Sequence, residues 1–222
     1  MPAAYSGPKV NSNVNLMSDS IQIKQNPKTL THVLYLHGFR SSPQSAKASR
    51  LATLFAQIYP DVHWWCPQLP PSPLETSKLI TTETEDWPKE SMAVIGSSLG
   101  GFYATWLAQL YDCKAVLINP AIDPARDLAK YIGEHSVWHD PNERIYFAPA
   151  YIEELRNLYV GEFKHPENVF ALIAKGDEVL DWREMTGRYP KCPQLLLEGS
   201  DHGVSDFELH LPRLMQFLFA SI

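Results

Sequence analysis

The sequence has no long apolar run; its longest stretches fall far short of the roughly 18 residues a membrane helix needs, so a spanning segment is not expected. It has no block of basic residues. Nineteen Lys and Arg face 25 Asp and Glu, for a net charge of −6, which makes nucleic acid and anionic membranes poor expectations as partners. It has only three cysteines, Cys66, Cys113 and Cys192, with no CxxC pair, so reduced thiols fit better than a disulfide framework. No charged segment followed by an apolar one opens the chain, and a cytoplasmic location is expected. What is there suffices for a full core: 45% of the 222 residues are apolar.

Residues 1–29 are rich in Asn, Ser, Pro and Lys and lack periodicity, which predicts a flexible tail before a single domain over 30–222. From residue 31 on, short apolar runs alternate with helical ones. HVLYLHG (32–38), VHWWCP (62–67), MAVIGS (92–97), KAVLINP (114–120), NVFALIAKGD (168–177) and PQLLLEGSD (193–201) are nearly continuous in apolar residues. Strands buried on both faces of a parallel sheet look like this. Between them, 44–58 sets Ala48, Leu51, Ala52 and Phe55 on one helical face, and 98–110 is helical by period. A last helix over 207–219 meets Pro212, which predicts a kink or a restart. The alternation predicts a three-layer α/β fold with a mostly parallel sheet of about six strands. About 45 residues separate the fourth run from the fifth. A structureless loop of that length is suspect, so the aromatic-rich segment 121–166 is expected to form a small helical cap, with two or so short helices, over the carboxyl end of the sheet.

Gly96-Ser97-Ser98-Leu99-Gly100 falls between a strand and a helix. The Gly-x-Ser-x-Gly spacing suits a serine on a sharp strand-to-helix turn. Only small residues fit two before and two after it, its hydroxyl projects beyond the sheet, and the helix N-terminus aims free N–H groups at the site. A glycine-rich turn with an incidental serine has the same five letters, so the rest of the chain decides. His37-Gly38-Phe39 ends the first strand; the amides of Phe39 and Leu99 would make a two-donor oxyanion hole, with His37 supporting the turn and not acting as base. Asp177, just past the fifth strand, suits the carboxylate that orients an imidazole, with Glu178 and Asp181 as rivals. His202, on a Gly-flanked loop past the last strand, is the expected base; His63, His135, His139, His165 and His210 have weaker settings. His135 and His139 are four apart, but no third ligand stands at a recognisable spacing, and no metal or other cofactor is expected. Ser98, Asp177 and His202, each past a strand end, follow the chain order of α/β hydrolases. Arg40 and Trp138 are candidate substrate contacts. The aromatics of 131–163, with Trp64, Trp65 and the stretch from Pro67 to Pro73, either line an apolar acyl site or seal the core.

Longer stretches carry a resemblance. LYLHGF and SSPQSAKA (34–48, with Arg40 between them), GSSLGGFYATWLA (96–108), INPA (118–121), KGDEVLDWRE (175–184) and EGSDHGVSDFE (198–208) resemble the small bacterial YqiA-like esterases of the α/β-hydrolase superfamily, over about residues 31–219. The resemblance implies a hydrolase sheet without the first two strands of larger relatives. It implies a serine esterase acting on acyl esters, or on acyl-CoA thioesters. It makes Ser98, Asp177 and His202 the triad and Phe39 and Leu99 the oxyanion donors. The tail and the long 121–166 insert depart from the shortest relatives and bear on substrate size. A small-molecule ester is the expected partner, and a monomer or weak homo-oligomer the expected state. Peptidase, C–C hydrolase and acyl-transferase activities are the alternatives within the fold; a binding protein on an inactive scaffold is the alternative outside enzymes.

Overall fold

The computed structural model describes residues 30–220, so the tail expected over 1–29 lies outside them. The chain runs through β1 (His32–Leu36), α1 (Ala46–Ile58), β2 (His63–Trp65), α2 (Pro73–Glu83), β3 (Met92–Ser97), α3 (Leu99–Tyr111) and β4 (Lys114–Ile118). It continues through α4 (Pro124–Asp127), β5 (Gly133–Ser136), β6 (Arg144–Phe147), α5 (Ala150–Asn157), β7 (Val169–Ala174), α6 (Trp182–Arg188), β8 (Gln194–Leu197) and α7 (Leu211–Phe219). The six apolar runs are the six strands of one sheet, in the order β2-β1-β3-β4-β7-β8, with every pair parallel.

Successive residues of each central strand feed opposite layers. Leu34, Leu36, Val94 and Ile173 pack with Ile80 of α2, Phe102 of α3 and Met185 of α6. Val33, Tyr35, Ile95 and Leu172 pack with Leu51 and Phe55 of α1 and Leu214 of α7. Both faces are covered, which is why the sequence shows no polar alternation there. At about 1.5–3 kcal/mol for each fully buried aliphatic side chain, these layers make a rigid base for the loops at the strand ends.

The strand order reverses between β1 and β3. From β1 the chain leaves to α1 on one face, and from β3 to α3 on the other. Open parallel sheets bind ligands in the crevice that such a reversal opens beyond the carboxyl ends. Phe39 follows β1 there, and Ser98 follows β3.

Two features differ from the sequence expectation. The insert holds the short helices α4 and α5, but an antiparallel hairpin, β5 with β6, lies between them. Its strands, GEHS and RIYF, are four residues each and only the second carries apolar side chains, so neither gives a run long enough to show a period. Helix α2 was also hidden in the proline-rich stretch. Its signals are local: the Ser72 hydroxyl accepts the Glu75 N–H at 3.2 Å, and Pro73 opens the first turn, where its missing N–H costs nothing. Pro212 likewise lies in the first turn of α7, after a separate short turn over Phe207–Leu209, so the chain restarts and does not kink.

The glycines near Ser98 are steric requirements. A Cβ on Gly100 would lie 1.9 Å from the Leu36 carbonyl oxygen, and one on Gly96 would lie 2.1 Å from that of Gly100. Gly100→Ala is therefore expected to lower unfolding free energy by more than about 3 kcal/mol, because backbone cannot yield as a side chain does. Gly187, inside α6, has nothing within 4 Å of the same position. Gly187→Ala is expected to stabilise by about 0.5–1 kcal/mol. Urea denaturation of the two variants checks both signs.

Candidate active site

Backbone strain collects at the crevice. Among the described residues five non-glycine positions have positive φ, and four of them, Arg40, Ser98, Asn119 and Val204, lie in the loops after β1, β3, β4 and β8. Such conformations cost about 1–3 kcal/mol each and persist where the surroundings over-determine them. Ser98 shows this. Its backbone has φ 56° and ψ −120°, its N–H donates to the Ile118 carbonyl at 3.0 Å, and its carbonyl accepts the N–H groups of Gly101 and Ala121.

The three sequence-predicted side chains meet. Ser98 Oγ lies 3.1 Å from His202 Nε2, and His202 Nδ1 lies 2.7 Å from Asp177 Oδ2. The Asp177 side chain is fully buried, and its Oδ1 accepts the N–H groups of Val179 and Leu180, both at 2.8 Å. The carboxylate thus has one oxygen left for the imidazole. With Nδ1–H donated to it, Nε2 is free to accept the Ser98 hydroxyl proton. The rivals have other work. Asp181 accepts the Arg183 N–H and caps α6, and the Glu178 Oε2 accepts the His202 backbone N–H at 3.0 Å. His63 packs with His32 and Trp87, His165 pairs with Glu167, and His210 pairs with Asp206. His135 meets the Tyr131 carbonyl and His139 meets Glu143, so the two are engaged separately.

The amides of Phe39 and Leu99 donate to no group among the described residues, and both residues line the cavity that holds Ser98. Leu99 is the first residue of α3, where the N–H is free of helical bonding. Gly38 brings the first loop close: a Cβ there would sit 3.3 Å from Ser98 Cβ. His37 supports this loop as expected. Its Nε2 accepts the Leu69 N–H at 3.0 Å, so Nδ1 carries the proton and donates to the Gly38 carbonyl at 2.9 Å.

Burial holds the His37 pKa below the usual histidine value. The folded state therefore binds this proton less readily than the unfolded chain. The stability His37 contributes is complete above pH ~6.5 and is lost as pH falls from there through the folded value. The difference in thermal midpoint between the parent protein and His37→Gln is expected to shrink as pH drops from about 7.5 to about 5. A pH-independent difference would refute this role.

Two positioning groups were not foreseen. Asn119, fully buried after β4, donates through Nδ2 to the carbonyls of Asp201 and His202, each at 3.1 Å. Its Oδ1 accepts the Ala174 N–H at 2.7 Å, so one amide ties the histidine loop to the end of the strand that leads to Asp177. Lys47 Nζ on α1 donates to the Gly203 carbonyl at 2.6 Å. The INPA segment contained the Asn119 signal, but only the fold shows what its amide reaches.

The cavity measures about 510 Å³, within the range of small-molecule sites. Beside Ser98 and His202 it is walled by Leu99, Ala121, Leu128, Tyr131, Val179 and Leu180. Arg40 and Trp138 line it too. The Arg40 guanidinium lies 4.2 Å from the Trp138 ring centre and donates to the Ser136 carbonyl at 2.6 Å, clamping the β5–β6 hairpin to the Phe39 loop. Trp64 and Trp65 are not part of the site. Trp64 stacks on Phe55 in the α1 layer, and Trp65 meets Trp87, so they seal the core at the sheet edge. Pro70 and Pro71 line a separate, smaller cavity together with His37 and Leu69, not this one. The thiols are unsuited to nucleophilic work, because burial pushes Cys66 and Cys113 up to about 12 and Cys192 up to about 11. No helix among the described residues is long and apolar enough to cross a membrane.

Similar proteins share this architecture. A UPF0227 protein of Yersinia pseudotuberculosis is 24% identical over 189 residues, covering 83% of this chain and 97% of its own. Among solved structures, the mouse alpha/beta hydrolase domain-containing protein 10 superposes with a TM-score of 0.61 at 16% identity, covering 88% of this chain and 92% of its own. Est1E of Butyrivibrio proteoclasticus, solved with ferulic acid, gives 0.61 at 13%, covering 88% and 89%. A monoacylglycerol lipase of Paleococcus ferrophilus gives 0.60 at 15%, covering 84% and 93%. These likenesses establish the α/β-hydrolase fold. The profile described as the uncharacterised protein family UPF0227 matches residues 32–219, and the chain belongs to that YqiA-like family.

Proposed function

We propose that the protein is a serine esterase that hydrolyses carboxylic acyl esters through an acyl-enzyme. The observation that carries this is the unbroken hydrogen-bonded line from buried Asp177 through His202 to Ser98, set at the reversal of the strand order. His202 Nε2 takes the hydroxyl proton as Ser98 Oγ attacks the ester carbonyl carbon. Asp177 stabilises the imidazolium and keeps its tautomer. The amides of Phe39 and Leu99 hold the oxyanion; one such donor is typically worth about 10²–10³ in kcat. The imidazolium then gives its proton to the departing alkoxide. Water, deprotonated by His202, attacks the acyl-enzyme, and Ser98 leaves with the proton restored.

His202 carries every proton transfer in both steps, between Ser98, the leaving alkoxide and water, while Asp177 stays ionised, so the reading needs no metal or organic cofactor. The esterase and lipase among the structural neighbours support the bond type by analogy of fold. An acyl thioester differs only in its leaving atom and is the alternative substrate for the same site. Stopped-flow reaction with p-nitrophenyl esters tests the reading. A burst of p-nitrophenol equal to the enzyme, with acyl mass on Ser98 after rapid quench, is the expected result. Turnover of acyl-CoA thioesters with none of esters would move the assignment to the alternative. Turnover of neither, by a folded sample, would leave a binding protein.

A further inference from the structure

The fold brings together cations that lie far apart in the sequence. Arg40, Lys47 and Lys130 all line the cavity of Ser98, in a chain whose net charge is −6. Two carboxylates share that wall, Asp127 and Glu178, and both are engaged. Asp127 pairs with Arg126 at 2.8 Å, and Glu178 accepts the His202 N–H. Lys47 is answered by its own neighbours: it donates to Gly203, and Asp177 and Asp201 act on its charge. Arg40 and Lys130 remain. Among the described residues neither pairs with a carboxylate. Arg40 is pre-set, with Nε and Nη2 spent on Ser136 and its plane against Trp138, which leaves Nη1 without a partner among those residues. Lys130 Nζ lies 5.3 Å from the Tyr131 ring centre, and Tyr131 packs on Phe39, next to Arg40 in the chain.

We infer that the substrate is an anionic ester: one carrying a carboxylate or phosphate, bound between Arg40 and Lys130 at the cap end of the cavity. A fixed guanidinium edge suits either group. The inference rests on the esterase reading and narrows it. The apolar wall of Leu99, Leu128, Val179 and Leu180 takes the carbon chain, and the two cations select for charge. Lys130 lies on the rim and Arg40 is half-buried, so each contributes modestly, about twofold to fivefold in kcat/KM.

The test compares matched esters. One pair, p-nitrophenyl butyrate and p-nitrophenyl hemisuccinate, places the carboxylate on the acyl side. The other, phenyl butyrate and 3-carboxyphenyl butyrate, places it on the leaving side. The expected result is a higher kcat/KM for the anionic member of one pair, which also tells which side the anion occupies. That preference falls as salt rises from about 0.01 M to about 1 M, where the screening length drops from roughly 30 Å to roughly 3 Å. In Arg40→Gln/Lys130→Gln the anionic-to-neutral ratio falls about tenfold. In Lys191→Gln, an exposed site paired with Glu162, the ratio holds. Because Arg40 also clamps the hairpin, Lys130→Gln alone is the second variant, with a smaller fall in the same ratio. Equal ratios in parent and variants, unmoved by salt, overturn the inference while ester turnover itself leaves the esterase reading standing. No turnover of any of the four esters overturns both.

Discussion

Replacing Ser98 by alanine is expected to lower kcat for ester hydrolysis by about 10⁶-fold, and adding His202→Ala to it to cost nothing more. In the proposed mechanism Oγ is the atom that attacks, and the first act of His202 is to take its proton across a 3.1 Å contact. With the hydroxyl gone, the imidazole has no proton to take from the enzyme. The residual rate would come from the oxyanion donors and from binding, which neither change touches. The close backbone contacts at Gly96 and Gly100 and the backbone bonds that set the elbow do not involve Oγ, so Ser98→Ala is expected to fold. Steady-state kcat of the two single variants and the double decides the matter. Losses that multiply would show that the two residues act independently, against the geometry.

Asp177→Asn is expected to lower kcat by about 10⁴-fold, whereas Glu178→Gln is expected to cost far less. The local hydrogen bonds dictate the first result. Oδ1 of Asp177 accepts two backbone N–H groups, from Val179 and Leu180, and only an oxygen can hold that position. An asparagine must therefore turn its NH₂ toward His202. The imidazole then accepts at Nδ1 and carries its proton on Nε2, which faces Ser98 with a donor and cannot take the hydroxyl proton. Glu178 meets the histidine loop through the backbone N–H, and a glutamine oxygen can still accept it. Equal losses in the two variants would mean that the acid has been misassigned.

Most of the sheet was legible because its strands are buried on both faces, so apolar runs such as 92–97 and 169–174 stand out as blocks. Ser98, Asp177 and His202 were legible because each sits at a strand end in a recognisable order. The β5–β6 hairpin was not, since its strands are only four residues each, and Ile145 and Phe147 make too short an apolar pattern to read beside the polar Glu134, His135 and Ser136. Asn119 was missed for another reason. Its amide joins residues 55 and more positions away, at Ala174, Asp201 and His202, and local pattern carries no trace of such contacts. Trp64 and Trp65 looked like acyl-site candidates because composition cannot tell an aromatic that lines a cavity from one that closes a sheet edge. That Arg40 and Lys130 line one cavity is likewise a product of the fold, not of spacing.

The central claim is that the strained serine at the tip of β3 is an activated nucleophile. Labelling the folded protein with a fluorophosphonate, in which Oγ displaces fluoride from phosphorus, tests it most directly when the adduct is mapped by mass spectrometry. One adduct per chain on Ser98, absent in Ser98→Ala and much slowed in His202→Ala, is the expected result. A folded protein that takes no label, or takes it on another residue, would contradict the claim.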